Sequence, residues 1–342
     1  MKKVLFIVVI FISVTLLHAQ NAKVVNRFSL PGDGGWDYIT VDEAANTVYT
    51  SHGNIVQAIN AADGKLIATI ENLNGVHGIA LAKDLNKGFI SNGRDSSVTV
   101  IDLKTFKTLA KVQVTGKNPD AILYDPYSQL VFTFNGRTAN VTAIDAKTNE
   151  VKGTVKVDGK PEFAQTDKKG NIYVNIEDKS MINVIDSKTL TVVKRWSVAP
   201  GEEPSGLALD NETHRLFSVC GNKMMVVTDA ETGKVITTLP IGDGCDGVAF
   251  DSVLKRAYSS NGEGNITVVQ EVNKDKFEVV ATIPTQKGAR TIAANSITHH
   301  LYLPAAEYKT AESGKRPAVI PGSFVILDVL TKFAFYKETY FN

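Results

Sequence analysis

The sequence has few cysteines, few tryptophans and almost no net charge. Two cysteines in 342 residues cannot form the disulfide framework of a small secreted fold. Two tryptophans are too few for a quinone site built on stacked indoles. The 37 basic and 36 acidic residues give a formal net charge of +1, so the chain has no general attraction to phosphate backbones and no nucleic-acid partner is expected.

Several motifs of enzymes and cofactor-binding proteins are also absent. The sequence contains no Cys-x-x-Cys-His haem attachment site, no Gly-x-Ser-x-Gly nucleophile elbow and no glycine-rich phosphate loop that opens a helix. The pair His299-His300 is predicted to lie at the end of the molecule opposite to the candidate site, where we expect solvated rings and no zinc. No motif therefore predicts a cofactor.

Long apolar runs are missing after residue 17. The one such run, the 14 residues from Val4 to Leu17, follows Lys2 and Lys3 and precedes Ala19, which is typical of a secretory signal peptide. A retained anchor is the alternative, but the run is shorter than the roughly 20 residues that span a bilayer. We predict a signal peptide over residues 1–19 and a single mature domain over 20–342. That domain has no transmembrane segment and is periplasmic or secreted.

What the sequence does contain is one strand pattern that recurs. Its clearest copies are Val98–Thr105, Val141–Thr148, Ile182–Thr189 and Met225–Thr232. The polar residues that end the copies give seven positions: Asn60, Asp102, Asp145, Asp186, Asp229, Gln270 and Asp328. The first five spacings are 41 to 43 residues and the last is 58, so the last unit carries an insertion, which we place at about 308–321.

Each unit contains four short segments rich in β-branched and aromatic residues, with turn residues between them. Seven such units predict an all-β, seven-bladed β-propeller with four-stranded antiparallel blades, in preference to a β-solenoid. The segment Lys23–Gly34 resembles the fourth strand of the fifth unit, Lys234–Gly244. We therefore predict that an N-terminal strand closes the last blade, with the tail 331–342 as the alternative outer strand.

Two strand pairs resemble the YVTN-type repeats of YncE-like propellers: Phe89–Gly93 with Val98–Asp102, and Ile172–Asn175 with Ile182–Asp186. The resemblance extends over essentially the whole mature chain. It implies an exported seven-bladed propeller, and propellers related to this family include lactonases and the large subunits of some amine dehydrogenases. No catalytic motif of the family matches this chain residue by residue, so the resemblance implies no active-site residues.

Two sets of loops are predicted to meet at one mouth of the central channel, because the inner strand of each blade starts there and the second strand returns there. The residues that open the inner strands are Asp37, His77, Asp120, Glu162, Ser205, Asp246 and Arg290. The loops after the second strands add Arg94, Arg137, Asn175, Glu177, Lys223, Asn261, Glu263 and Glu307. Four carboxylates around a narrow opening repel one another, which raises their pKa values or requires a cationic partner. Polar residues that only cap a solvated opening are the alternative.

The function remains open between three hypotheses. The first is a monomeric binding protein whose channel mouth holds a small polar ligand, a peptide or a protein partner. The second is a lactonase-type hydrolase, in which Asp120, Glu162 and Asp246 bind a divalent cation, His77 transfers protons and Arg290 stabilises an anionic product. The third is a scaffold for cell-surface assembly that uses the outer rim.

The two cysteines are predicted to lie near this mouth. Cys220 follows the second strand of one blade and Cys245 opens the inner strand of the next. An exported protein can form a disulfide, so a bridge between them and two free thiols are both open.

Overall fold

A computed structural model of the protein describes residues 22–310 and 317–331. The predicted signal peptide and the middle of the predicted insertion lie outside these ranges. Within them, the helical segments are two short 3₁₀ turns, Lys83–Leu85 and Glu177–Lys179. No helix of the described residues is long and apolar enough to cross a membrane.

The strands form seven four-stranded antiparallel sheets arranged as blades. Blade 1 contains β2 Ile39–Asp42, β3 Thr47–His52, β4 Ile55–Asn60 and β5 Leu66–Ile70. Blade 2 contains β6 Val76–Ala82, β7 Lys87–Asn92, β8 Ser97–Asp102 and β9 Thr108–Gln113. Blade 3 contains β10 Pro119–Asp125, β11 Leu130–Asn135, β12 Asn140–Asp145 and β13 Val151–Lys156. Blade 4 contains β14 Pro161–Thr166, β15 Asn171–Ile176, β16 Met181–Asp186 and β17 Thr191–Ser197. Blade 5 contains β18 Pro204–Asp210, β19 Arg215–Cys220, β20 Met224–Asp229 and β21 Val235–Pro240. Blade 6 contains β22 Cys245–Asp251, β23 Arg256–Asn261, β24 Asn265–Asn273 and β25 Lys276–Pro284. Blade 7 contains β26 Ala293–Asn295, β27 His300–Ala305, β28 Val325–Leu330 and β1 Lys23–Ser29. The predicted seven-bladed propeller is confirmed.

The N-terminal strand β1 is the outer strand of blade 7. It pairs antiparallel with β28, from Lys23 opposite Leu330 to Ser29 opposite Val325. The peptide N–H of Leu30 extends this contact by donating to the carbonyl oxygen of Phe324 (3.2 Å). The first and last strands of the described chain therefore share one sheet, which confirms the prediction of how the ring closes.

The core lies between neighbouring blades. The second and third strands are buried on both faces, as in β7, β8 and β12, whereas outer strands such as β9 are mostly exposed. One cluster joins Phe89 and Val100 of blade 2 to Val131 and Ile144 of blade 3. Each fully buried side chain of this size stabilises the fold by roughly 1.5–3 kcal/mol, so each blade is stabilised by its neighbours.

The recurring aspartate at the end of the third strand makes the same turn in several blades. Asp102 Oδ1 accepts hydrogen bonds from the backbone N–H groups of Lys104 (2.9 Å) and Thr105 (2.7 Å). Asp145, Asp186 and Asp229 bond the equivalent N–H groups in their own blades. A carboxylate that accepts from the residues two and three positions on closes an Asx turn, so the repeated motif encodes the hairpin between the third and fourth strands.

The histidine pair after the inner strand of blade 7 makes hydrogen bonds to two aspartates, and the expectation of solvated rings is wrong. His299 Nδ1 lies 2.7 Å from Asp251 Oδ2 of blade 6, and His300 Nδ1 lies 2.5 Å from Asp328 Oδ1 of its own blade. Both carboxylates are almost fully buried. A buried carboxylate needs such a partner, so this pair stabilises the end of the propeller opposite to the mouth.

The insertion of blade 7 lies between β27 and β28. Its two described arms run antiparallel: the Lys309 N–H donates to Ala318 and the Ile320 N–H donates to Glu307 (both 2.8 Å). The Tyr308 ring lies 6.0 Å, centroid to centroid, from that of Trp36. The insertion therefore packs beside the segment that enters blade 1 and carries Asp37.

Candidate functional site: the acidic channel mouth

Local irregularities in the inner strands present the predicted ring residues to the channel. In blades 2 to 6 the pairing of the inner strand with the second strand shifts after its first residue pair. His77, Asp120, Glu162, Ser205 and Asp246 lie at or within these shifts. A β-bulge leaves its extra residue unpaired and re-aims its side chain, so the backbone of each of these five blades places one ring residue at the mouth.

Hydroxyl groups of neighbouring blades hold the backbone of the ring. Ser91 of blade 2 donates to the carbonyl oxygen of Asp120 in blade 3, and Ser260 of blade 6 donates to that of Arg290 in blade 7 (both 2.6 Å). Thr291 of blade 7 donates to the carbonyl oxygen of Asp37 in blade 1 (2.6 Å). These bonds fix the ring residues of adjacent blades relative to one another.

His77 lies between two carboxylates. Its Nδ1–H donates to Asp37 Oδ2 (2.6 Å) and lies 3.3 Å from Asp120 Oδ1, and its side chain also hydrogen-bonds that of Asn118. Burial by itself lowers the pKa of His77, but the hydrogen bond to Asp37 and the charges of Asp120 and Asp37 outweigh burial, so the pKa is raised. The imidazolium form therefore fits this position, because it carries two N–H donors.

Arg290 closes the other side of Asp37. Its guanidinium pairs with Asp246, lies 3.7 Å from Asp37 Oδ1 and donates to the carbonyl oxygen of Trp36 (3.3 Å). The ring from Asp246 through Arg290, Asp37 and His77 to Asp120 is thus a chain of alternating charges.

Lys160, which sequence reasoning missed, completes the site in blade 4. Its Nζ lies 2.5 Å from Glu162 Oε1 and also pairs with Glu177. The signal was available, because Lys160 stands two residues before Glu162 in the loop that enters the same inner strand.

Tyr38, which follows Asp37 and was also missed, lies close to the carboxylates of the ring. It belongs to blade 1, yet its ring lies 5.3 Å from that of Phe163 in blade 4, so it crosses the channel. Burial first, and then the charges of Asp120 and Glu162, raise the pKa of Tyr38 well above its usual value. The phenol therefore stays neutral at physiological pH.

Small residues in other blades leave room for this crossing. At Gly78, a Cβ atom would lie 3.2 Å from the Tyr38 ring. At Gly206, a Cβ atom would lie 2.9 Å from the carbonyl oxygen of Asp246, which is closer than van der Waals contact allows. The two glycines therefore leave room for atoms of other blades, Gly78 for the Tyr38 ring and Gly206 for the backbone of blade 6.

The mouth carries more negative than positive groups. Its five carboxylates are Asp37, Asp120, Glu162, Glu177 and Asp246, and its three cationic groups are His77, Lys160 and Arg290. Burial and Asp37 raise the pKa of Asp120 to about 6 although His77 opposes them, and burial and Asp120 raise the pKa of Glu162 to about 8 although Lys160 opposes them. Burial also raises the pKa of Asp246 despite Arg290. The mouth thus retains protons on carboxyl groups near neutral pH.

Two of the predicted ligand-binding residues are structural. Asn175 and Asn261 are fully buried. Asn175 donates to the carbonyl oxygens of Ser205 (3.0 Å) and Gly206 (3.1 Å), and Asn261 donates to the side chain of Thr267 (3.0 Å). Asn175 positions the backbone that carries Ser205, and neither amide is presented to a ligand.

The remaining predicted residues lie outside the charged cluster. Ser205 belongs to the ring, but its hydroxyl is used on the carbonyl oxygens of Cys245 and Asp246. The side chains that are exposed on the loops around the mouth are Arg94, Arg137, Lys223, Glu263 and Glu307. Lys223 pairs with Asp243 (3.0 Å), so its charge is used on the rim.

The proposed metal ligands do not converge. Asp120 pairs with His77, Glu162 with Lys160 and Asp246 with Arg290, so each of the three has its own cation. Among the described residues, the group whose ligand atoms lie within 4.8 Å of one another is Asp37, His77 and Asp120. A divalent ion there would require His77 to lose the proton that its partners favour.

Cys220 and Cys245 are free thiols in this structure. The sulfur of Cys245 lies 3.1 Å from the carbonyl oxygen of Cys220, to which it donates. Burial raises the pKa of both thiols to about 12. The two residues are neighbours across blades 5 and 6, as the sequence indicated, but they are not bridged.

The raised pKa of Glu162 predicts that stability falls between about pH 4.5 and 8. The carboxyl group of Glu162 has a pKa near 4.5 in the unfolded chain, so in this range the unfolded chain releases a proton that the folded protein still holds. The stabilisation present below pH 4.5 is therefore lost as the pH rises through about 8. Glu162→Gln mimics the protonated acid, so we expect it to unfold like the wild type at pH 5 and to be more stable at pH 9, by on the order of 2 kcal/mol. Urea unfolding at both pH values measures this, and a variant less stable than the wild type at pH 9 would contradict it.

Comparisons with solved structures show the fold. A chain of the Kuenenia stuttgartiensis hydrazine synthase has 17% sequence identity and a TM-score of 0.69, covering 80% of this chain and 94% of that chain. A chain of a mitotic checkpoint complex has 12% identity and a TM-score of 0.74, covering 92% and 95%. The WD40 repeats of RRP9 have 10% identity and a TM-score of 0.73, covering 91% and 99%. No protein-family model matches the chain, and no curated protein matches it.

Proposed function

We propose that this protein is an exported binding protein that receives a positively charged organic group, the amine of a small polar ligand or of a peptide side chain, in its channel mouth. The observation that carries the proposal is the surplus of carboxylates: five acidic groups face three cationic ones in a partly buried ring. A buried surplus of like charge is relieved by protonation or by a cation. A cationic ligand would replace the protons held by the carboxyl groups.

The arrangement of the groups favours an ammonium over a compact metal ion. The carboxylates are distributed around the ring, each beside a different side-chain cation. An ammonium has three N–H donors that can reach separate acceptors. The Tyr38 ring, close to the same carboxylates, adds an aromatic face, and aromatic faces attract cations.

The Tyr38 ring also bears on the length of the ligand group that the mouth can receive. Because Tyr38 of blade 1 contacts Phe163 of blade 4, we propose that these two rings limit how far a ligand enters from the mouth. This depth suits one amine or one basic side chain, with the rest of the ligand or partner remaining on the loops outside. The rigid ring and the loop-built rim are the usual division between scaffold and binding surface.

The cellular setting of the proposal comes from the sequence. The pattern of residues 1–19 and the YVTN-type repeats support an exported, YncE-like protein that acts in the periplasm or outside the cell. The overall charge of +1 and the acidic mouth disfavour a nucleic-acid partner. We propose that it acts as a monomer, since the mouth is built from the blades of one chain.

The proposal predicts that the mouth discriminates by charge between ligands of one shape. In isothermal titration we expect Nα-acetyl-lysine methylamide to bind and its neutral analogue Nα-acetyl-norleucine methylamide not to bind. The double variant Glu162→Gln/Asp246→Asn removes two carboxylates, so it should weaken lysine binding by about tenfold or more. The matched control is Glu202→Gln, an exposed carboxylate near the same rim. Equal binding of the two probes, or no binding of either, would refute the proposal.

The lactonase alternative rests on a different observation, the grouping of Asp37, His77 and Asp120 within metal-ligand distance. In that case a divalent cation would polarise a carbonyl, and the carboxyl groups of raised pKa would transfer protons. A thermal-shift panel of divalent cations, with a lactone hydrolysis assay of the wild type and Asp120→Asn, separates the two functions. Stabilisation by a metal together with hydrolysis lost in the variant would establish the enzyme in place of the binding protein.

A further inference from the structure

A second surface on the mouth face lies between blades 6 and 7. It is an open groove with a volume of about 1180 Å³. One wall comes from the insertion of blade 7, and the other from the chain that connects blades 6 and 7. Its lining includes Arg27, Gln286, Lys287, Glu307, Tyr308 and Lys309.

The groove carries positive charge without internal partners. Arg27, Lys287 and Lys309 are exposed and line it, whereas Glu307 is the one acidic residue among the described lining residues. No described carboxylate lies within 4.0 Å of these three cationic groups. Arg27 uses one N–H on Gln286 (2.6 Å), and a guanidinium has five. Positive charge is therefore available to a ligand here, unlike that of Lys160 and Arg290.

The wall formed by Tyr308 is held in place. Its ring lies over Gly288, where a Cβ atom would be 2.8 Å from a ring carbon, and packs near Trp36 at 6.0 Å. The side chain is nevertheless 39% exposed. A supported aromatic ring that still faces solvent gives contact area at a small entropic cost, which is typical of protein-binding surfaces.

We propose that this groove binds a short acidic peptide segment of a partner protein. Its volume exceeds the roughly 300–1000 Å³ of small-molecule pockets, and three unpaired cations match a few carboxylates of one segment. A long polyanion fits less well. Gly262 of the groove adjoins Arg290 of the mouth, so a polyanion that extends beyond the groove would approach the surplus carboxylates of the mouth, which repel negative charge. The proposal goes beyond the amine site and does not depend on it.

The test is the fluorescence anisotropy of a labelled hexapeptide of alternating Asp and Glu, with the mature protein as titrant. We expect binding that weakens as salt rises from about 50 to about 300 mM, because exposed pairs are screened. Lys287→Glu/Lys309→Glu should weaken binding by about tenfold or more. Both side chains are exposed and unpaired, so this variant should keep the circular dichroism spectrum and thermal unfolding of the wild type.

The matched control is Lys104→Glu/Lys107→Glu, the same change of charge on the loop between β8 and β9 at the opposite end of the propeller. It should keep the hexapeptide affinity within about twofold. Unchanged affinity in the groove variant, no binding up to about 1 mM, or tighter binding of a six-nucleotide single-stranded DNA to the same lysines would overturn the proposal. The hexapeptide and the lysine probe are titrated separately, so a failure of the groove proposal and a failure of the amine site are distinguishable.

Discussion

Replacing His77 by asparagine should destabilise the protein more at pH 6 than at pH 9. The imidazolium lies between Asp37 and Asp120, whose side chains are 20% and 17% exposed. Removing one partner of a buried ion pair costs about 3–5 kcal/mol, and partial exposure reduces this to about 2–3 kcal/mol here. At pH 9 the cost falls, because the raised pKa of His77 gives a stabilisation that is complete below the ordinary value of 6.5 and is lost as the pH rises through the raised value.

Urea unfolding of the wild type and His77→Asn at the two pH values measures this difference. The matched control is His214→Asn: His214 Nδ1 lies 3.7 Å from Glu231 Oε1, and both side chains are exposed. An exposed pair contributes little, so the control should change stability by no more than about 0.5 kcal/mol at either pH. An equal loss for His77→Asn at pH 6 and pH 9 would show that packing, and not its charge, is what His77 supplies.

The fold was predictable because its information is local and repeated. The aspartates that end the third strands, such as Asp102 and Asp145, accept hydrogen bonds from the backbone N–H groups two and three positions further on. A motif of eight residues therefore predicts a hairpin. Seven copies of one strand pattern, the first six of them 41 to 43 residues apart, leave few architectures that bury their faces. The closing strand was readable for the same reason, because Lys23–Gly34 repeats the pattern of another outer strand.

The ring was predictable from spacing, but its chemistry was not. Equivalent positions in seven blades must converge, which placed Asp37, His77 and Asp120 together. Which carboxylate meets which cation depends on the bulges of the inner strands and on side-chain reach. The predicted metal trio of Asp120, Glu162 and Asp246 was chosen by spacing, which does not take Lys160 into account, and Lys160 neutralises part of the charge of Glu162.

Tyr38 shows what a closer comparison of the blades could have found. The residue after each ring position is small in most blades, as in Gly78 and Gly206, and aromatic in blades 1 and 4, at Tyr38 and Phe163. Two large rings among small residues indicate a partly filled channel. Their contact across the ring joins residues 125 positions apart in the chain, and no local pattern encodes such a contact.

Deleting residues 20–30 should destabilise the propeller more than any single substitution at the mouth. This segment supplies β1, which covers the edge of β28, and Leu30, which is 4% exposed. Truncating a buried leucine alone costs about 2–5 kcal/mol, and the bared β28 offers unpaired backbone groups to other molecules. We expect the thermal unfolding temperature to fall by about 10 °C or more, with self-association that increases with concentration.

A synthetic peptide of residues 20–31 should reverse both effects, because an added strand can restore the missing sheet partner. The matched control is a peptide in which the residue at Phe28 is aspartate; the Phe28 ring covers Gly64 and joins the core between blades 7 and 1, so a charge there prevents docking. Differential scanning calorimetry and analytical ultracentrifugation of the truncated protein, with and without each peptide, give the result. If the truncated protein were monomeric with the wild-type unfolding temperature, β1 would not be what holds the ring closed. Rescue by the wild-type peptide alone would show that closure depends on this one strand, because every other blade receives all four of its strands from a continuous stretch of chain.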